Sequence, residues 1–119
     1  MRRYSKNPVG AHYGLGDWLL QRLTAVVMAG YTVFVVGCLL AGRPASYADM
    51  KAMFSDGFIR IFTMLFMVAM AYHAWVGMRD ILMDYIKPTA LRLTLEVAVG
   101  LGLVVYLIWS VSILWGARP

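Results

Sequence analysis

The sequence predicts an all-α membrane protein of three transmembrane helices, and three observations carry that prediction. Apolar residues make up 61% of the 119-residue chain and charged residues only 14%. The charges are clustered and leave apolar runs at residues 23–41, 61–78 and 97–115, each close to the roughly 20 residues that cross about 30 Å of hydrocarbon. The segments between the runs are too short for a soluble domain, so residues 1–119 are expected to form one membrane unit.

Taken in order, the first six residues, Met1-Arg2-Arg3-Tyr4-Ser5-Lys6, are basic, but Gly, Pro and polar residues follow them. The first apolar run is also too long for a cleavable signal, so these charges are read as topology determinants. Helix 1 is expected over about 17–41, with Asp17 as N-cap or first-turn acid. Gly42-Arg43-Pro44 is its stop signal. Residues 46–56 read as a loop, with a short amphipathic turn around 47–54. Helix 2 is expected over about 58–86 and ends at Lys87-Pro88, because the residue before proline disfavours helix. Helix 3 is expected over about 89–115. Ala98, Gly100 and Gly102 there allow close approach of another helix. Glu96 lies one turn from Arg92, a spacing that predicts a local ion pair.

Three spans put the termini on opposite sides. One side carries Arg2, Arg3, Lys6, Arg22, Arg79, Lys87 and Arg92, the other Arg43, Lys51, Arg60 and Arg118. Lys and Arg near span ends favour the cytoplasm, so the N-terminus is expected to be cytoplasmic. The net charge of +5 therefore sets topology and gives no reason to expect nucleic-acid binding. Trp18 suits the inner interface, and Trp109 and Trp115 the outer one. Cys38 is the only cysteine; it has no disulfide partner in the chain and reads as a small buried hydrophobe.

The chemistry lies in helix 2. Phe66, Met70, His73, Gly77, Asp80 and Asp84 follow spacings of three and four and form one stripe. Lipid cannot satisfy its polar half, so the stripe must face protein, a cofactor or water. An imidazole inside hydrocarbon is costly without a partner. His73 has two readings: a hydrogen bond to a neighbouring helix, or ligation of a metal such as haem iron. His12 precedes helix 1 on this reading, so a haem with two histidine ligands would need a histidine from another chain. Tyr85 reads either as an interfacial aromatic or as a hydrogen-bond donor to a carbonyl such as that of a quinone. Asp84 beside it is a solvated helix-end acid or a proton relay. Arg22 either snorkels to lipid phosphate or pairs with a carboxylate, a haem propionate or Asp84. No phosphate loop, nucleophile–base pair or Cys/His metal cluster is evident, so no enzyme chemistry is expected of the chain alone.

These residues resemble a known family, the hydrophobic membrane anchors of succinate dehydrogenase in respiratory complex II. The resemblance rests on Asp17-Trp18-Leu19-Leu20-Gln21-Arg22-Leu23-Thr24-Ala25, on His73-Ala74-Trp75-Val76-Gly77-Met78 followed by Asp84-Tyr85 and Lys87-Pro88, and on Ala90-Leu91-Arg92-Leu93. Nothing is carried onto residues 1–13. The resemblance implies that His73 is one axial ligand of haem b, with the second from a partner anchor (cytochrome b) subunit. It implies that Tyr85 hydrogen-bonds ubiquinone with Asp84 close by, and that Arg22 lies near the haem propionates or the quinone region. An iron–sulfur subunit, a flavoprotein subunit and a bacterial inner membrane are implied as well. The expected function is that of an anchor sharing a b-type haem and contributing to ubiquinone reduction. The alternatives are a haem-free structural anchor of the fumarate reductase type and a homodimeric membrane b-type cytochrome.

Overall fold

The computed structural model describes the backbone of residues 11–116 and the side chains of residues 14–116. Four helices occupy this range: α1 (Ala11–Leu40), α2 (Tyr47–Ser55), α3 (Gly57–Tyr85) and α4 (Thr89–Gly116). Three stretches are long and apolar enough to cross a membrane, Gly14–Leu40, Gly57–Tyr85 and Thr89–Gly116. At about 1.5 Å per residue each is about 40 Å long, more than the hydrocarbon thickness, so their charged ends reach the headgroup region. The topology charges Arg2, Arg3, Lys6 and Arg118 lie outside the described residues.

Local chemistry sets the breaks between helices. Gly42 takes a φ of 73°, the left-handed conformation glycine tolerates best. Around it Arg43 N–H donates to the Cys38 carbonyl (2.9 Å) and Gly42 N–H to that of Leu39 (3.0 Å), the bond pair of a Schellman ending. Ser46 caps α2 by accepting from the Asp49 amide at 3.1 Å, and Asp56 caps α3 by accepting from Phe58 at 3.2 Å. Arg60 reaches back to the Ser55 carbonyl at 2.8 Å, tying α2 to α3.

α3 lies between α1 and α4 and packs on both, with α2 against its first turns. In lipid, helices gain little from burying apolar area against one another, so close packing and polar bonds must hold them. Aromatic rings do so at one end: Tyr31 of α1 stacks on Phe66 of α3 with centroids 4.4 Å apart and meets Phe62 edge-on at 5.2 Å. Against α4, a Cβ on Gly100 would come within 3.2 Å of the Trp75 ring, whereas Gly102 has open space. Of the two glycines, then, Gly100 admits the neighbouring helix. Few of the described side chains are buried: Thr63, Ala69, Val76 and Leu82 on α3, and Leu114 on α4. Leu19, Val26 and Val33 on α1 and Leu101, Val105 and Ile108 on α4 are exposed, as suits lipid-facing surfaces.

Three local expectations are revised. Helix α1 is already formed at Ala11, so Asp17 sits inside the helix rather than at its cap and His12 belongs to the first turn. The glycines at 14 and 16 cost about 1 kcal/mol each relative to alanine, and the interhelical bonds of Asp17 offset that cost. The short turn around 47–54 is the nine-residue helix α2. Among the described residues Arg92 and Glu96 form no ion pair. Arg preceding Glu at this spacing is the weaker order, because each charge opposes the helix dipole.

Candidate functional site

Helices α1 and α3 run antiparallel and meet along three polar rungs. The residues on α1 are Asp17, Thr24 and Tyr31, seven apart. Seven residues are nearly two turns, so one face of α1 meets α3 throughout, as in shallow left-handed helix crossings. In the first rung Arg79 Nη2 donates to Asp17 Oδ2 at 2.6 Å, and Tyr72 Oη donates to Asp17 Oδ1 at 3.4 Å. The second joins Thr24 Oγ1 and His73 Nδ1 at 3.1 Å. In the third, the hydroxyls of Tyr31 and Thr63 lie 2.9 Å apart. Each rung gives a polar group on one helix a polar partner on the other, which lipid cannot supply.

His73 is half-buried. Its Nδ1 contacts Thr24, and its Nε2 makes no hydrogen bond among the described residues. The two sequence readings of His73 therefore use different ring nitrogens. One nitrogen meets the neighbouring helix, and the other has no partner among the described residues. One turn away, a Cβ on Gly77 would meet nothing within 4 Å, so the position one turn below the ring is open. This arrangement fits a planar iron porphyrin approached from Nε2. The only other histidine, His12, lies 12 positions before Thr24 on α1, about 18 Å along the axis, and is not at the depth of His73.

Asp84 and Tyr85 are the last residues of α3, and both are exposed, Tyr85 at 81%. They lie about 16–18 Å along the helix from His73. Asp80 is also exposed, 3.9 Å from Arg79, whose short contact is with Asp17. The contact of Arg79 with its neighbour Asp80 is thus secondary to an interhelical bond. In the polar half of the stripe Asp80 and Asp84 are left uncovered by the chain's own helices, while Phe66 at the other end is stacked on Tyr31.

Arg22 is exposed, with its guanidinium over the Trp18 ring at 5.4 Å. It forms no ion pair with Asp84 among the described residues. Two residues from Thr24, it points about 200° around α1 and so away from the seam. Its depth lies between the Asp17–Arg79 and Thr24–His73 rungs. Beside it, Gln21 Oε1 is buried without a hydrogen-bond partner among the described residues.

The sizeable cavities lie elsewhere. An apolar groove of about 400 Å³ at the α2 end is lined by Tyr31, Met50, Phe54, Thr63, Met67 and Leu114, among others, and includes none of His73, Asp84 and Tyr85. Its polar lining residues, Tyr31, Tyr47, Lys51, Thr63 and Ser110, include no imidazole or carboxylate, so the chemistry is assigned to the His73 face. Sequence reasoning passed over the pairings of Asp17, Tyr31, Tyr72 and Arg79, and named Thr24 only within a motif. The available signal was three polar residues at heptad spacing on an apolar helix.

Fold and site together define a multi-pass helical membrane protein with a half-buried histidine inside its spans. Residues 4–109 match the family of succinate dehydrogenase/fumarate reductase transmembrane subunits. The succinate dehydrogenase hydrophobic membrane anchor subunit of Coxiella burnetii is 43% identical over 105 residues, covering 88% of this chain and 91% of that protein. The corresponding subunit of Rickettsia bellii is 30% identical over 97 residues, covering 82% and 78%. That of Rickettsia conorii is 30% identical over 105 residues, covering 87% and 83%. The chain belongs to this family, among the hydrophobic membrane anchor subunits of succinate dehydrogenase.

Proposed function

We propose that the chain anchors a succinate:ubiquinone oxidoreductase in the bacterial inner membrane, holds one side of a b-type haem through His73, and contributes Tyr85 to the ubiquinone site. The partners are a second anchor subunit that gives the other haem ligand, an iron–sulfur subunit and a flavoprotein subunit, in which succinate oxidation takes place. The observation that carries the proposal is the division of labour on His73: Nδ1 meets Thr24 at 3.1 Å, and Nε2 makes no hydrogen bond among the described residues. Bound haem supplies a one-electron site. Arg22 has no carboxylate partner among the described residues, but it points away from the seam that holds His73, so the proposal gives it no contact with the haem.

Tyr85 is exposed at the end of α3, which suits a pocket completed by other subunits. Its hydroxyl donates to a quinone carbonyl, and Asp84 beside it relays protons from water. Arg22, Arg79, Lys87 and Arg92 lie at this end and support a cytoplasmic placement.

The test is purification of the intact complex from membranes. Co-purified flavoprotein and iron–sulfur subunits are expected, with a b-type reduced-minus-oxidised spectrum that His73→Ala abolishes or shifts. A wild-type complex without that spectrum, or a His73→Ala complex with an unaltered one, overturns the haem assignment. Tyr85→Phe is expected to lower ubiquinone reduction about tenfold, the equivalent of one hydrogen bond of ~1.4 kcal/mol, with succinate oxidation by an artificial acceptor retained. Unchanged quinone turnover removes Tyr85 from the site.

A further inference from the structure

We infer that Thr24 is a positioning residue for the histidine ligand: it accepts a hydrogen bond from His73 Nδ1–H, fixes the imidazole tautomer, and thereby sets Nε2 as the iron-binding atom. The inference rests on the haem reading of His73 and adds to it a cause for which nitrogen binds and in what orientation.

A threonine hydroxyl has one proton to give and two lone pairs with which to accept. Thr24 Oγ1 lies 2.7 Å from the Leu20 carbonyl oxygen and 3.1 Å from that of Gln21. Both are helix carbonyls and can only accept, so the hydroxyl proton goes to them, and to Leu20 by the shorter distance. Toward His73 Nδ1, at 3.1 Å, the oxygen is then left to accept, which places the imidazole proton on Nδ1. The opposite tautomer costs twice. It would draw the hydroxyl proton away from the Leu20 carbonyl, and it would put an N–H on Nε2, where no described residue accepts it, inside a lipid-spanning helix. An imidazole with Nδ1–H satisfied and Nε2 bare is the form that ligates iron, and the hydrogen bond makes Nε2 more electron-rich.

The seam holds this bond rigidly. Asp17–Arg79 lies seven residues from Thr24 on one side, and Tyr31–Thr63 seven on the other. Thr24 therefore cannot drift along α3, and the ring plane of His73 is fixed by an element outside its own helix.

The test compares Thr24→Val with Thr24→Ser in the purified complex, using flavin content to count assembled enzyme. Thr24→Val keeps the shape and removes the acceptor; Thr24→Ser keeps the hydroxyl. Two readouts are taken, the haem midpoint potential and the rate of haem transfer to excess apomyoglobin. Thr24→Val is expected to raise the potential, because a less electron-rich ligand stabilises ferric iron less, and to speed haem loss about tenfold or more, the usual cost of losing a ligand's hydrogen-bond partner. Thr24→Ser is expected to match wild type. If Thr24→Val does not assemble, Thr24→Ala carries the same readouts. Haem-containing wild type with no change in Thr24→Val, or with Thr24→Ser changed as much as Thr24→Val, overturns the positioning role alone. Wild-type complex with no b-type haem overturns the haem reading itself, and this inference with it.

Discussion

At the scale of single residues, an intramembrane side chain is defined by which of its atoms already have a partner. His73 is the clearest case, but Tyr31 follows the same rule. Its hydroxyl lies 2.9 Å from that of Thr63, which is only 5% exposed, and its ring stacks on Phe66. Tyr31→Phe keeps the ring and removes the bond. It is expected to destabilise the α1–α3 pair by about 0.6 kcal/mol, the average for hydrogen bonds between transmembrane helices, and by no more than about 1.7 kcal/mol. Thermal unfolding of the detergent-solubilised complex reads this, and an unchanged midpoint would show that the rings alone hold that end of the seam. The imidazole could be picked out of the sequence because a lone histidine in an apolar run is conspicuous. Its tie to Thr24 could not, because threonine is common in helices and usually bonds its own backbone.

At the scale of elements, the seam between α1 and α3 depends on register. The Asp17–Arg79 bond joins the helices near one end. Asp17→Ala and Arg79→Ala are each expected to lower the thermal midpoint. The double variant is expected to lose no more than the worse single one, because the two residues act as one unit. Additive losses would mean that each is stabilised by something other than its partner. The three spans could be read directly from hydropathy, since length and polarity decide what crosses lipid. The start of α1 could not, because two glycines and a polar stretch look like loop until Arg79 is placed opposite Asp17. The turn at Gly42 could be anticipated, since a left-handed ending calls for glycine. The loss of the expected Arg92–Glu96 pair shows the limit of spacing alone: separation was right, order was wrong.

For the molecule as a whole, α3 is the element on which both neighbours depend. Its contact with α4 passes through Trp75 against the bare backbone of Gly100. Gly100→Ile puts a branched side chain where a single Cβ is already tight. It is expected to cost about 1–3 kcal/mol by overpacking and to weaken assembly, whereas Gly102→Ile, at an open position, is expected to cost much less. Comparing the two in complex yield separates packing from the general effect of adding bulk to α4; equal losses would remove Trp75 as the cause.

The uncovered polar half of the α3 stripe bears on how the cell must make this chain. A copy that enters the bilayer before its companions carries an imidazole only half sheltered at depth, which lipid cannot relieve, and leaves Asp80 and Asp84 uncovered at the membrane edge. Such an orphan is a poor lodger in the bilayer and a natural target for membrane proteases. Its synthesis therefore has to keep step with that of its companions, and surplus copies are expected to be short-lived.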